Sequence, residues 1–197
     1  ERHLAALSVD PPEWPTSTRR ISQLRVTIEY EPTGTLWRIL GTAKLHVDIV
    51  DYPGEWLTDL ALLEQSYDGW TSETLKHVHK HRHFSSAQAF SAFLERIKRV
   101  DEPPRDNEQI ALEGAKLFTD YLAEVRTAHG GIATLSPGRF LMPGDHEGSP
   151  LLTFFPMAVS LQEKDASEYR TALAALLERR FDSYKSHIVR PFFRDHF

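Results

Sequence analysis

The chain has 197 residues, with 23 Lys and Arg against 28 Asp and Glu and no Cys. A composition that is 41% hydrophobic and 26% charged fits one folded domain or a large piece of one, far from the polar, highly charged range where chains stay unfolded. The net charge of −5, spread along the sequence rather than gathered in blocks, argues against a surface built to neutralise nucleic-acid phosphates. No run approaches the ~18 apolar residues that a membrane-spanning helix needs. The absence of Cys removes disulfides, thiolate nucleophiles and Cys-ligated zinc together, and points to the cytoplasm as the expected compartment.

Glu1 to Leu7 reads as the end of a helix, stopped by Pro11, Pro12 and Pro15 around Trp14. From Ile21 the period becomes two, with Leu24, Val26, Ile28 and Tyr30 on one face and Arg25, Thr27 and Glu29 on the other, which predicts a half-buried strand. Leu36 to Leu40 and Leu45 to Val50 read as two more strands, making an antiparallel meander. Past Gly54 the spacing of Leu57, Leu60 and Leu63 turns helical and predicts a helix over 55–74. A second helix, capped by Ser85 and Ser86, carries Phe90, Phe93, Leu94 and Ile97 and ends at Pro103 and Pro104. Asn107 caps a third, with Ile110, Leu117, Tyr121, Leu122 and Val125 on its apolar side and a left-handed stop at Gly130 and Gly131. The continuous apolar run from Leu151 to Met157 reads as a strand buried on both faces. A last helix spans 166–188, followed by three Phe between Pro191 and Phe197 with nothing after them to cover them, as in a fragment of a longer chain. The order of elements predicts an α/β or α+β fold with a helical insertion.

One strand carries chemistry at its tip. Leu45 to Val50 delivers Asp51, and Gly54 follows three residues later. In open α/β sheets ligands sit at the carboxyl ends of strands. A carboxylate there can hold Mg²⁺ through water, and a following Gly lets a backbone N–H approach a terminal phosphate. Asp51-Tyr52-Pro53-Gly54 is also good turn chemistry, so the motif alone leaves both readings open. Asp48 lies on the opposite face from Asp51 by strand alternation and reads as structural.

The sequence running on from this motif, DIVDYPGEWLTDLALLEQSY, resembles the YcjX-like family of P-loop GTPases, a stress-associated bacterial family. The upstream PPEWPTSTRRISQLRVTIEYEPTG and the downstream SPGRFLMPGDHEGSPLLTFFPM and YKSHIVRPFFRDHF look like further blocks of that family, in order. The resemblance implies an α/β fold, part of a Ras-like P-loop NTPase sheet, with residues 1–54 and 151–197 in the nucleotide-binding domain and 55–150 as a helical insertion. It implies GTP or GDP with Mg²⁺ as ligands, and hydrolysis of GTP by an intact parent. The P-loop, GxxxxGK[ST], and the guanine-reading Lys-x-Asp do not occur in this chain, so the family's phosphate cradle is expected upstream and its base-reading motif downstream.

On this resemblance Asp51 is the Mg²⁺-water ligand and Gly54 the terminal-phosphate contact. Thr18, in the loop before the first strand, is a candidate for a switch threonine that contacts Mg²⁺ and nucleotide, with plain turn chemistry as the alternative. Glu55 stands where many such enzymes place a water-orienting Gln, and a first-turn acid favoured by the helix dipole is the other reading. Arg139 is a candidate for charge stabilisation in cis, or a partner for Asp145. His77, His79, His81 and His83 have helical chelate spacing, yet Lys80 and Arg82 between them favour a solvated basic helix end. No Gly-x-Ser-x-Gly or HExxH occurs. An interaction module, with a protein partner on the helical insertion, is the alternative to catalysis.

Overall fold

The computed structural model describes residues 22–30, 42–99, 106–158 and 168–196. It is a mixed α/β, mostly helical structure that divides into two compact units, Glu1–Pro53 and Gly54–Phe197.

In the first unit β1 (Ser22–Tyr30) pairs antiparallel with β2 (Ala43–Asp51). Leu24 faces Ile49, Val26 faces Val47 and Ile28 faces Leu45, so one face of the ribbon is apolar; Arg25 faces Asp48 and Thr27 faces His46 on the other. The Asp48 carboxylate accepts two bonds from Arg25, at 2.6 and 2.8 Å, which fixes register across the strands. The expectation of a half-buried strand is corrected. Leu24 is 60% and Ile49 52% exposed, so among the described residues of its own two-stranded unit the ribbon has no apolar face that is buried. The strand expected over 36–40 lies outside the described residues.

The second unit begins with a short helix α1 (Gly54–Leu57) and a 3₁₀ turn, Thr58–Glu64. The single helix expected over 55–74 is therefore broken. Gln65 is extended, and Ser66 caps a new helix, α2 (Tyr67–Lys80), by accepting from the Gly69 N–H at 3.1 Å. Next come α3 (Ser85–Arg99) and α4 (Asn107–Ala128). The cap of α4 is Asp106, one residue before the expected Asn107, and accepts from the Gln109 N–H at 2.8 Å. At the start of α3 the Ser86 N–H donates to Glu124 of α4 at 2.9 Å, so a neighbouring helix supplies the acceptor. Gly130 and Gly131 have φ of 69° and 87°, the left-handed stop that the sequence predicts.

The apolar run 151–157 is not a strand. Pro150–Leu152 form a 3₁₀ turn and the chain then runs without regular structure through Ala158. Burial was legible and the element was not: Phe154 and Phe155 are fully buried between helices. In place of a neighbouring strand, the Tyr67 hydroxyl donates to the Phe155 carbonyl at 2.8 Å and accepts from the Met157 N–H at 3.2 Å. The helix expected to end at 188 is described from Glu168 as α5 (Glu168–Tyr184), and continues through a π turn, Lys185–Val189, into α6 (Arg190–His196). The expectation of an uncovered Phe cluster there is corrected for two of its three members, the third, Phe197, lying outside the described residues. Phe192 and Phe193 are 9% and 7% exposed, and Phe192 meets the edge of Trp56 with ring centroids 5.3 Å apart.

The core of this unit is aromatic. Trp70 stacks on Phe181 at 5.1 Å and meets Phe118 and Phe154 edge-on at 5.8 and 5.5 Å. Residues 154–157 and the helices after 168 thus pack into the same core as α2, α3 and α4.

Candidate functional site

β2 ends at Asp51, and Gly54 opens α1. Asp51 is exposed at the strand tip, on the face that carries Val47 and Ile49. Gly54 is exposed too, and a Cβ built there meets nothing within 4 Å, so no packing contact requires a glycine at this position. Thr18 lies outside the described residues.

The next five residues are held from several sides. The Glu55 side chain, 5% exposed, pairs with Arg126 of α4 at 2.5 Å. The Glu55 carbonyl accepts from the Thr58 hydroxyl at 2.7 Å. Trp56 donates its indole N–H to the Met142 carbonyl at 2.8 Å, and the Arg139 guanidinium lies 3.4 Å from the indole centroid. Asp59, 2% exposed, accepts from the Gly138 N–H at 2.7 Å, more weakly from the Arg139 N–H at 3.4 Å, and from the Tyr184 hydroxyl at 2.5 Å. Three distant stretches converge here: the end of α4, the loop around 138–142, and the last helices.

Both side chains with sequence-assigned catalytic roles are therefore engaged within the second unit. Glu55 meets Arg126, and Arg139 is buried beside Trp56, with Phe192 at 5.1 Å on its other contact. Burial pulls the Arg139 pKa down, while Tyr184, Asp59 and Asp145 oppose that shift. Asp59 and Arg126 went unseen in the sequence. Asp59 sits within the leucine repeat like any solvent-facing acid, and no local pattern links it to a loop 79 positions away.

Burial pushes the Asp59 carboxyl up from 3.8 to about 6, against the three hydrogen bonds and the Arg139 charge that pull it down. Between those two values the folded chain holds a proton that the unfolded chain has released. This contribution to stability is therefore greatest at acid pH, falls as pH rises through the window, and is lost above about 6. Asp59→Asn removes the titration and turns amide hydrogens toward backbone donors. The stability gap between wild type and variant, measured by urea unfolding, should be wider at pH 5 than at pH 7.5, and an equal gap at both would refute the shift.

The basic histidine segment forms a helix end. His81 caps α2 and its Nδ1 lies 2.8 Å from the Tyr121 hydroxyl. Burial first, then the neighbouring His77, His83 and His129, lowers its pKa. Among the described residues no group of three or more His, Asp or Glu is placed to hold a metal ion.

The described residues define a mixed, mostly helical α/β protein, with a two-stranded ribbon that ends at Asp51 and a helical unit that begins at Gly54. The chain belongs to the YcjX-like family, DUF463, which it matches over residues 1–197. It is 34% identical to the Ras-like GTPase YcjX of Shewanella oneidensis over 199 positions, covering 98% of this chain and 40% of that protein. To the Ras-like GTPase YcjX of Escherichia coli it is 35% identical over 200 positions, covering 98% and 41%. The chain thus spans about two fifths of the length of the curated relatives it matches. No helix among the described residues is long and apolar enough to cross a membrane.

Proposed function

We propose that this chain is the switch-bearing portion of a Ras-like P-loop GTPase, which binds GTP or GDP with Mg²⁺ and hydrolyses GTP when joined to a phosphate-binding loop. The observation that carries this reading is the placement of Asp51 at the end of β2 and of an uncrowded Gly54 at the start of α1. The relatives named as Ras-like GTPases support it. The donor set fits the metal: a single exposed carboxylate suits Mg²⁺, which keeps most of its waters and takes phosphate oxygens as further ligands. When bound, the ion supplies charge neutralisation on the phosphates. In this reading Asp51 orients the metal's water shell and the Gly54 N–H binds the terminal phosphate. Thr18 supplies a further metal and nucleotide contact. Glu55, the residue after Gly54, and Arg139, whose guanidinium lies over Trp56, are the candidates for water orientation and charge stabilisation.

The test is calorimetric titration of GDP and a non-hydrolysable GTP analogue, with Mg²⁺, into the polypeptide extended to the length of its relatives. Binding by that polypeptide, weakened at least about tenfold by Asp51→Ala, is the expected result. Undiminished Mg²⁺-dependent binding by the variant would remove Asp51 from the site.

A further inference from the structure

The residues after Gly54 are held by several contacts within the helical unit, and Arg126 meets them through an ion pair. Its guanidinium meets the Glu55 carboxylate at 2.5 Å, while its Nε donates to the Gly131 carbonyl at 3.0 Å. Gly131, at φ 87°, belongs to the left-handed stop of α4, so the guanidinium is aimed by the way that helix ends. Glu55 is nearly buried and Arg126 is 25% exposed at the side chain. Removal of the arginine leaves a carboxylate with little water to solvate it, and the chain must move to expose it. The residue that then moves is the direct neighbour of Gly54.

We propose that Arg126 is a positioning residue: acting through Glu55, it sets where the Gly54 N–H stands, and so governs how well the protein tells a nucleoside triphosphate from a diphosphate. The inference rests on the function proposed above. It adds a residue of the helical unit, remote in sequence from the Asp-x-x-Gly motif, to the determinants of that choice. The chemistry is specific about its readout. A diphosphate has no terminal phosphate for Gly54 to meet, so loss of the pair weakens triphosphate binding and spares the diphosphate. Trp56 and Asp59 hold the rest of the segment by separate contacts, so the segment stays folded when the pair is lost.

The experiment measures Kd for GDP and for a non-hydrolysable GTP analogue in the polypeptide extended to the length of its relatives, as wild type, Arg126→Met, Arg126→Lys and Glu55→Gln. Each variant's thermal unfolding is followed in parallel. Arg126→Met is expected to lower the preference for the triphosphate about tenfold with GDP affinity little changed, and Arg126→Lys to recover part of it. Glu55→Gln removes the carboxylate that Arg126 pairs with while the guanidinium keeps its bond to Gly131, and it is expected to shift the ratio in the same direction by less, which keeps the test open should Arg126→Met fold poorly. An unchanged ratio of the two constants in a folded variant overturns the proposal, as does equal loss of both nucleotides. Wild-type protein that binds neither nucleotide overturns the function on which the proposal rests, which is a different result from a wild type that discriminates and an Arg126→Met that discriminates equally.

Discussion

Gly138→Ala is expected to destabilise the helical unit by about 3 kcal/mol or more, and to release the segment after Gly54 from its anchor. A Cβ at position 138 would lie 1.6 Å from the Glu55 carbonyl oxygen, 2.4 Å from its carbon and 2.8 Å from the Thr58 hydroxyl. Two of those atoms are backbone and have no rotamer to escape into. The glycine is required by space alone, since its φ is not among the positive values found at Gly130, Gly131, Gly144 and Gly148. Relief needs the loop to lift, and lifting it breaks the Gly138 N–H bond to Asp59, leaving a buried carboxylate short of a donor. Thermal unfolding by circular dichroism checks the expectation. A melting temperature within a degree or two of wild type would show that the loop can retreat without cost, and that the contact with Glu55 is incidental.

Trp70→Ala is the second large effect, with an expected loss of about 3–5 kcal/mol and a fall in Tm of roughly 10 °C. The indole is 2% exposed and touches Tyr67, Phe118, Phe154 and Phe181, which come from α2, α4, the irregular 153–158 segment and α5. No single element can close the space it vacates. Trp70→Phe separates volume from polarity. Among the described residues the indole N–H is buried with no acceptor, so its removal returns some of what the smaller ring loses. The phenylalanine variant is therefore expected to lie well above the alanine variant in urea midpoint. Equal midpoints would mean that the ring contacts contribute little beyond the presence of any side chain.

What the sequence made legible follows the range of the forces involved. Helical periodicity identified α3 and α4 and most of their buried positions, including Phe90, Phe93, Ile97, Tyr121 and Val125, because one helix face repeats locally. Glycine identified the end of α4 for the same reason. The Leu151–Met157 run reads as a buried strand, but only 154–157 are buried, Leu151 to Thr153 are half-buried, and no part of it is a strand. Its backbone partner is one hydroxyl, Tyr67, 88 positions away, and no alternation announces such a substitute. The break at Gln65 is hidden because the apolar spacing from Leu63 continues to Tyr67, while the break itself is held by the Ser66 cap and by Lys185, which donates to the Gln65 carbonyl from 120 positions away. For the site, the Asp-x-x-Gly motif was visible as a local string. Arg126 was not, since an arginine in the last turn of a helix has an ordinary local explanation in the dipole. Ion pairs formed across long stretches of chain leave no trace in spacing.

The π turn at Lys185–Val189 has a geometric consequence of its own. One residue more than a regular turn holds rotates everything beyond it around the rod axis, so that a single unbroken rod presents two different faces. Before the turn, Phe181 and Tyr184 point into the aromatic core and toward Asp59; after it, Phe192 is directed to Trp56. The extra residue works as a phase shifter between the centre of the helical unit and the segment beside Gly54. A one-residue insertion or deletion anywhere between Tyr184 and Phe192 would leave composition and hydrophobicity almost untouched, yet would swing the aromatic end of the rod away from the tryptophan it covers.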